Sequence, residues 1–433
     1  MADTQALDGI YKEFYEDYVS EGVNNKNPLK DIFKPTDIPY GGREVVWSAH
    51  VGRNPGVMAT GEGGGLPAAG NQKHIQARAT AKKVIGRVEL TPEAISDSSK
   101  SEFAFVSARK DEMNRLIDDF ARREEHYLVG DGRGILCLAD DASPTTGTTL
   151  TVDAPGGITN DAFGNRFIQP GMVIALVNPA TGALRTASAM TVSACAASGA
   201  SLTVSAAGAD NGVDNDFIVQ AANASITDVL DTSFQQAPMG IMGLIDDGTY
   251  VANYFGIDRT LFPSYASYVK AATGAFSLDV LQQSADVVDQ KLNGKTSRLI
   301  MHHSIRRLYI QAMDADRRYI GPATQRPDAG TVAMTQGDLT LGEVPITVIR
   351  DFALDVVMGL DESQMDAVRY VSEKGKWVDE DGSILVRQGF GSSAVHKFEA
   401  WYYMRHQNVV RNPGVCWRND GITGSTLIVT RAE

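Results

Sequence analysis

The sequence predicts an α+β chain built around one long helix, with a small all-β module inserted into it. Three observations carry that prediction. The first is an amphipathic stretch over residues 99–130. Met113, Leu116, Ile117, Phe120, Ala121, Tyr127 and Leu128 recur at three- and four-residue steps, while Arg109, Lys110, Asp111, Asp118, Asp119, Arg122 and Arg123 fill the other side. The second is a long ribbon over residues 41–91 with a glycine-rich tip. The third is an abrupt shift towards Ala, Gly, Ser and Thr across residues 139–225.

Taken in order, Leu7, Ile10, Tyr11, Phe14, Tyr15, Tyr18 and Val19 form a helical stripe that ends near Gly22. Pro28, Pro35 and Pro39 make the rest of residues 1–40 an extended arm. The ribbon rises through Glu44, Val45, Val46, Trp47, Ser48, Ala49, His50 and Val51, and returns through residues 75–80 and then Val84, Gly86, Val88 and Leu90. Such a ribbon is marginal alone in water, so it needs a surface to lie on, and a second copy of the chain is the expected one.

Thr91 and Pro92 open the next turn, and the Ser99 to Glu102 spacing is a capping box that starts the long helix. Gly130 and Gly132 end it. Five short strand-like runs follow at residues 148–152, 172–177, 190–192, 202–204 and 217–219, which reads as a barrel or sandwich. Ser277 then caps a helix striped by Leu278, Leu281, Ala285, Val288 and Leu292, closed by Gly294. Strands at residues 298–302 and 346–349 flank a second helix capped by Ser304. The last element is an extended strand in which Phe398, Ala400, Tyr402 and Met404 alternate with Glu399, Trp401, Tyr403 and Arg405. The expected divisions are an arm (1–40), the ribbon (41–91), a long-helix domain (92–138), the all-β insertion (139–225), an α/β domain (226–390) and a returning strand (391–433).

The 433 residues hold two or three domains' worth of core, and 53 acidic against 40 basic residues give a formal charge of −13. That balance argues against a direct nucleic-acid binder and suits a protein that surrounds a polyanion without gripping it. Cys137, Cys195 and Cys416 show neither zinc-ligand nor disulfide spacing, so a reducing compartment is expected. The first residues lack a signal-peptide pattern, and no apolar run is long enough for a membrane helix.

Candidate chemistry is sparse. His302 and His303 beside Ser304 raise a metal site or a serine–histidine pair, but adjacent strand residues point to opposite faces and a metal needs more converging ligands. Residues 61–65 lack the lysine and the strand-to-helix setting of a phosphate loop. Asp246 and Asp247, and likewise Asp379, Glu380 and Asp381, read as turns beside Gly248 and Gly382. No catalytic, cofactor or metal residue is expected. A basic set stands out in this acidic chain: Arg43, Arg53, Lys73, Arg78 and Lys82 on and beside the ribbon, with Arg405 and Arg411 on the returning segment. These positions, meeting acidic ones such as Asp118 and Asp119 on a neighbour's long helix, form the expected assembly interface.

Four local words, in order, carry a resemblance: Gly130, Asp131, Gly132; Gly256, Ile257, Asp258, Arg259, Thr260 with Pro263; Ala315, Asp316, Arg317, Arg318, Tyr319; and Trp377, Val378, Asp379, Glu380, Asp381, Gly382, Ser383. With the order of elements, the chain resembles the Hong Kong 97-like major capsid proteins of tailed double-stranded DNA bacteriophages. The resemblance implies a structural, non-enzymatic subunit that assembles through hexamers and pentamers into an icosahedral head around DNA, assembled in the host bacterial cytoplasm. It implies that the ribbon lies across a neighbour, that the long helix and returning strand form a peripheral domain, and that the α/β domain faces the capsomer centre. A portal protein is an implied partner and a decoration protein an optional one; because only a short arm precedes the ribbon, a separate scaffolding protein is implied, or none. An encapsulin-type shell is the alternative within the fold, disfavoured by the insertion. A metal-dependent hydrolase using His302 and His303, or a tail-tube protein, would be rivals from other classes. The family prototype joins a loop lysine to an asparagine. Lys73 and Asn408, Asn412 or Asn419 occupy comparable regions, but no cross-link is expected, because fold does not carry chemistry with it.

Overall fold

The computed structural model describes residues 32–35, 44–92, 102–140, 148–158, 163–185, 189–205, 212–315, 340–341, 344–378, 386–387 and 397–424. The stripe at residues 7–19, Arg43, the Ser99 cap and the Asp379–Glu380–Asp381 turn lie outside them. The described chain divides into two units, one gathering Thr80–Leu128 and Val368–Val409, the other Val45–Ala79, Val129–Ala367 and the chain from Val410 onward.

In the first unit the long helix, α1 (Glu102–Val129), lies on a five-stranded sheet. Its 28 residues make a rod about 42 Å long at 1.5 Å per residue. Strand Phe398–Val410 is the centre of the sheet, pairing antiparallel with Lys82–Leu90 so that Tyr402 faces Gly86 and His406 faces Lys82. Period-two alternation turns Tyr402 and Met404 towards the helix, where they close over Ile117, Phe120 and Val84, with Leu116, Tyr127, Val371 and Trp377 at the margin. Phe120 meets Tyr402 edge to face at 4.9 Å. Gly86 lets the helix approach closely, since a Cβ there would sit 3.2 Å from the Leu116 methyl. Beneath this apolar layer the buried carboxylate of Glu124 pairs with Arg369 and lies 3.4 Å from His406 Nε2. Burial draws the Arg369 guanidinium down to about 10.

The second unit begins with a closed six-stranded barrel in the order Phe217–Gln220, Ile135–Ala139, Thr149–Asp153, Ser201–Val204, Met190–Cys195, Val173–Val177. Alternate residues fill it: Leu136, Leu150, Val152, Ile174, Leu176, Met190, Val192, Leu202, Val204 and Ile218 are all buried. Closure removes sheet edges, which lets strands of four to six residues persist. Asp216, fully buried, anchors Arg185 through two oxygens at 2.9 and 3.0 Å. The barrel is tied to the α/β part of the same unit by Arg166, which donates to the carbonyls of Phe352, at 3.0 Å, and Arg350.

One barrel carboxylate is out of balance. Asp153 is pushed up to about 6, first by burial and then by the neighbouring carboxylates of Asp140 and Asp214. An unperturbed aspartate ionises near 3.8, so between these values the folded state binds more protons and stability falls as pH rises. Asp153→Asn should therefore raise the melting temperature by a few degrees at pH 7.5 and leave it nearly unchanged at pH 4, as calorimetry at the two pH values would show.

The α/β part is a six-stranded sheet in the order Tyr268–Lys270, Trp417–Asn419, Val357–Leu360, Arg298–Met301, Val344–Val348, Thr340–Leu341. Helices α2 (Leu278–Leu292) and α3 (His303–Ala315) pack on it through Leu281, Val288, Ile305 and Tyr309 against Leu299, Met301, Val348 and Trp417. The Ser277 hydroxyl caps α2 by accepting from Asp279 N, and Asn293, at φ 56°, takes the left-handed closing position one residue before Gly294.

Four expected boundaries move. The barrel starts at Ile135, four residues before the composition shift, because Gly134 (φ 73°) turns the chain directly into its first strand. The ribbon's return is two strands, Lys73–Thr80 and Lys82–Leu90, broken at Ala81 and assigned to different units. Strand Ala367–Trp377, expected in the α/β domain, belongs to the sheet of the first unit. The end of the expected returning segment belongs to the second unit: Pro413 breaks the strand, and Trp417–Asn419 pairs with Val357–Leu360.

Candidate assembly surface

The hairpin of Glu44–Gly52 and Lys73–Thr80 stands on the second unit. Alternation sends Trp47, Ala49, Val51, Ile75 and Ala77 to its inner face, where they pack against Phe255, Ile257, Phe262 and Tyr265. Trp47 meets Phe255 edge to face at 5.6 Å, and Arg78 N donates to Phe255 O at 2.8 Å. The base of the ribbon thus lies on its own chain, whereas the sequence reading placed the whole ribbon on a neighbour.

Beyond the base the loop is pinched and then released. Asn54 Oδ1 accepts from Gly56 N at 2.8 Å. Gly70 must be glycine, since a Cβ there would lie 2.6 Å from Pro55 Cδ. Past this neck, Gly64 N donates to Gly61 O at 2.9 Å and Gly63 adopts φ 77°, which forms the tip turn. Three large apolar residues flank the tip in solvent: Val57 is 86% exposed, Met58 59% and Leu66 94%. Isolated exposed apolar residues are ordinary, but three on one narrow loop form the kind of patch that marks an interaction site.

A polar hub holds the floor from which the hairpin rises. Asp246 is fully buried between Arg259 and Arg418, themselves buried. Its Oδ2 accepts from the backbone N–H of Gly248, Tyr250 and Val251, each at 3.0 Å, and its Oδ1 takes Arg418 Nη2 at 3.1 Å. The arginines also donate to the carbonyls of Met242, Gly243, Leu244, Ile245 and Val251, and Arg418 Nε donates to the Asp420 carboxylate at 2.9 Å. Tyr254 lies 4.3 Å under the Arg259 guanidinium and donates to Val410 O at 2.7 Å. With Asp246 so occupied, its chemistry is that of a structural anchor.

In the first unit, the sheet face opposite α1 carries Lys83, Ile85, Arg87, Glu89, Tyr403 and Lys376. Ile85 is 54% exposed, and the ammonium groups of Lys83 and Lys376 lie 5.1 and 5.4 Å over the Tyr403 ring. Arg87 pairs with Glu89 and, at 2.6 Å, with Glu399.

The sequence-predicted positions fall as follows. Arg53 and Arg78 are exposed on the hairpin. Lys73 turns to the inner face, its Nζ 4.8 Å over Phe262. Lys82 is half-buried, and desolvation lowers its pKa. Asp118 lines a shallow groove of about 270 Å³ with Ala121, Arg122 and Glu125, and Asp119 is exposed one residue on. Arg405 is half-buried opposite Lys83, and Arg411 pairs with Asp366 at 3.0 Å. Of the asparagines compared with Lys73, Asn408 is buried, Asn412 donates to Gln364 O at 3.3 Å and Asn419 accepts from Ser284 Oγ at 2.8 Å.

His302 and Ser304 do meet, but as a helix cap: His302 Nδ1 accepts from Ser304 N at 3.1 Å, and Ser304 Oγ reaches both Nδ1, at 2.8 Å, and Leu354 O, at 3.0 Å. Burial lowers His302 to about 3, which keeps its ring neutral. Sequence reasoning missed Val57, Met58 and Leu66, whose only signal was their position beside the glycine run. It also missed Arg418, which had none.

No family model and no curated protein sequence matches this chain. Solved structures do. The capsid asymmetric unit of cyanophage A-1(L) is 10% identical, with a TM-score of 0.54 over 92% of this chain and 93% of that one. The capsid of a native GTA particle is 10% identical at a TM-score of 0.46, over 91% and 90%. The capsid of Myoviridae phage XM1 is 9% identical at 0.43, over 91% of each chain. At such identity the likeness is one of architecture, and it runs nearly end to end. The fold is that of the Hong Kong 97-like phage capsid subunit.

Proposed function

We propose that this chain is a major capsid subunit that self-assembles through hexamers and pentamers into an icosahedral head around double-stranded DNA. The observation that carries the reading is the hairpin tip: in a capsid-type fold, Val57, Met58 and Leu66 stand more than half exposed on one loop. A second copy is the natural cover, because shells close by repeating one interface. The basic–aromatic sheet face around Ile85 and Tyr403 is the matching surface on that copy. Arg53 and Arg78 on the hairpin, and Asp119 on α1, are proposed to set register through charge. Portal, scaffolding and decoration proteins, assembly in the host cytoplasm and residence in the virion belong to the same reading. The net charge of −13 keeps the shell from binding DNA tightly, which suits packaging and release.

Light scattering and sedimentation of the purified chain test the reading. Arg53→Glu with Arg78→Glu should shift sedimentation from assembled particles towards free subunits, while leaving the melting temperature unchanged. Undisturbed assembly would remove these residues from the interface.

A further inference from the structure

The outward face of the hairpin carries a pair of imidazoles that assembly does not account for. His50, on the rising strand, and His74, on the returning strand, are both exposed, with ring centroids 5.0 Å apart and planes tilted by 46°. His50 Nε2 lies 2.7 Å from Gln72 Oε1. A carboxamide oxygen only accepts, so Nε2 is the donor, and in the neutral ring Nδ1 is the nitrogen with the free lone pair. That is the arrangement of a metal-ligating histidine, whose second nitrogen donates to a neighbouring oxygen and so sets tautomer and ring orientation.

The spacing also fits. A zinc ion sits about 2.1 Å from an imidazole nitrogen and therefore about 3.2 Å from the ring centre; at a tetrahedral angle this places two ring centres about 5.2 Å apart. The observed separation of 5.0 Å is close to that value. Strand alternation removes the nearest cation, because Lys73 turns to the opposite face and rests over Phe262 at 4.8 Å. Gln76 and Arg78 share the outward face, with Arg78 Nη2 3.5 Å from Gln76 Oε1.

We propose that His50 and His74 form a two-imidazole chelate for a divalent transition cation of zinc type, with Gln72 as the positioning residue and water completing the coordination. Among the described residues no group of three or more protein ligands gathers, so the site is open and exchangeable and differs from a buried structural zinc. Bound metal would staple the two strands just below the neck and restrict the swing of the tip.

Isothermal titration of the full chain with zinc chloride, followed by EDTA, tests this. One zinc equivalent per chain that EDTA removes is expected. His50→Ala and His74→Ala should each weaken binding at least about tenfold, and Gln72→Leu should weaken it by a smaller factor in the same range. His303→Ala, at an exposed position on α3, should leave the titration unchanged. All of these are surface or near-surface changes, and melting curves confirm that the variants fold. Absence of zinc binding, or wild-type affinity retained in His50→Ala or His74→Ala, would overturn the proposal.

Discussion

Replacing Val57, Met58 and Leu66 together by aspartate is expected to leave a folded subunit that no longer assembles. Each side chain is more than half exposed in the isolated chain, so its loss removes nothing that holds the subunit together. Burying a large apolar side chain against a neighbour contributes about 1.5–3 kcal/mol. Three such residues in every repeated contact, at about 1.4 kcal/mol per decade, correspond to a rise of at least about a thousandfold in the concentration needed for assembly. The aspartates add a desolvation cost on top. Melting temperature should match wild type, while the particle fraction in sedimentation should vanish at micromolar protein. An assembled variant would show that the tip is not an interface.

The second large effect concerns the hub beneath the hairpin. Arg418→Met keeps the volume but leaves Asp246 with only Arg259, at 3.5 Å, and its three backbone donors. Removing one partner of a buried ion pair costs about 3–5 kcal/mol, because the remaining charge stays out of water. Urea unfolding should show that loss, and Asp289→Asn on the exposed side of α2 should stay within about 0.5 kcal/mol of wild type. A loss below about 1 kcal/mol for Arg418→Met would mean that the guanidinium is dispensable to the hub. Because Asp246 links Arg259, two residues from the hairpin floor residue Ile257, to Arg418 on the sheet strand Trp417–Asn419, damage here should also lower assembly.

The elements most legible in the sequence were those whose burial is one-sided. Phe120 and Tyr402 were visible as parts of a helical and an alternating stripe because each element has one dry face and one wet face. The barrel strands were visible for another reason: turns at Gly156 and Asn178 separate short runs of inward residues such as Leu150, Val152 and Leu176. Ile135–Ala139 was not, because all but Leu138 are fully buried and the run carries no alternation to mark it as a barrel strand. The split at Ala81 left a fainter mark. The inward positions shift there from Ile75, Ala77 and Ala79 to Val84 and Val88, a one-residue change of phase, and tertiary packing assigns the two strands to different units.

The candidate site was less legible. Charge could be seen in the sequence, but its placement could not: Lys73 and Lys82 are drawn partly inward over Phe262 and into the first unit, respectively. Arg418 joins Asp246 across 172 residues, a pairing that no spacing rule reaches. The glycine run at residues 61–65 forms the tip turn as read, while the exposed apolar residues flanking it looked like ordinary loop positions.

Electron microscopy of the purified full chain is the most direct test of the capsid reading. Closed shells, or tubes and ring-shaped capsomers from the same subunit, are the predicted result, and the Val57, Met58, Leu66 triple variant should yield none of them. A monomer or dimer that remains so across protein concentration and salt, indistinguishable from the triple variant, would contradict it.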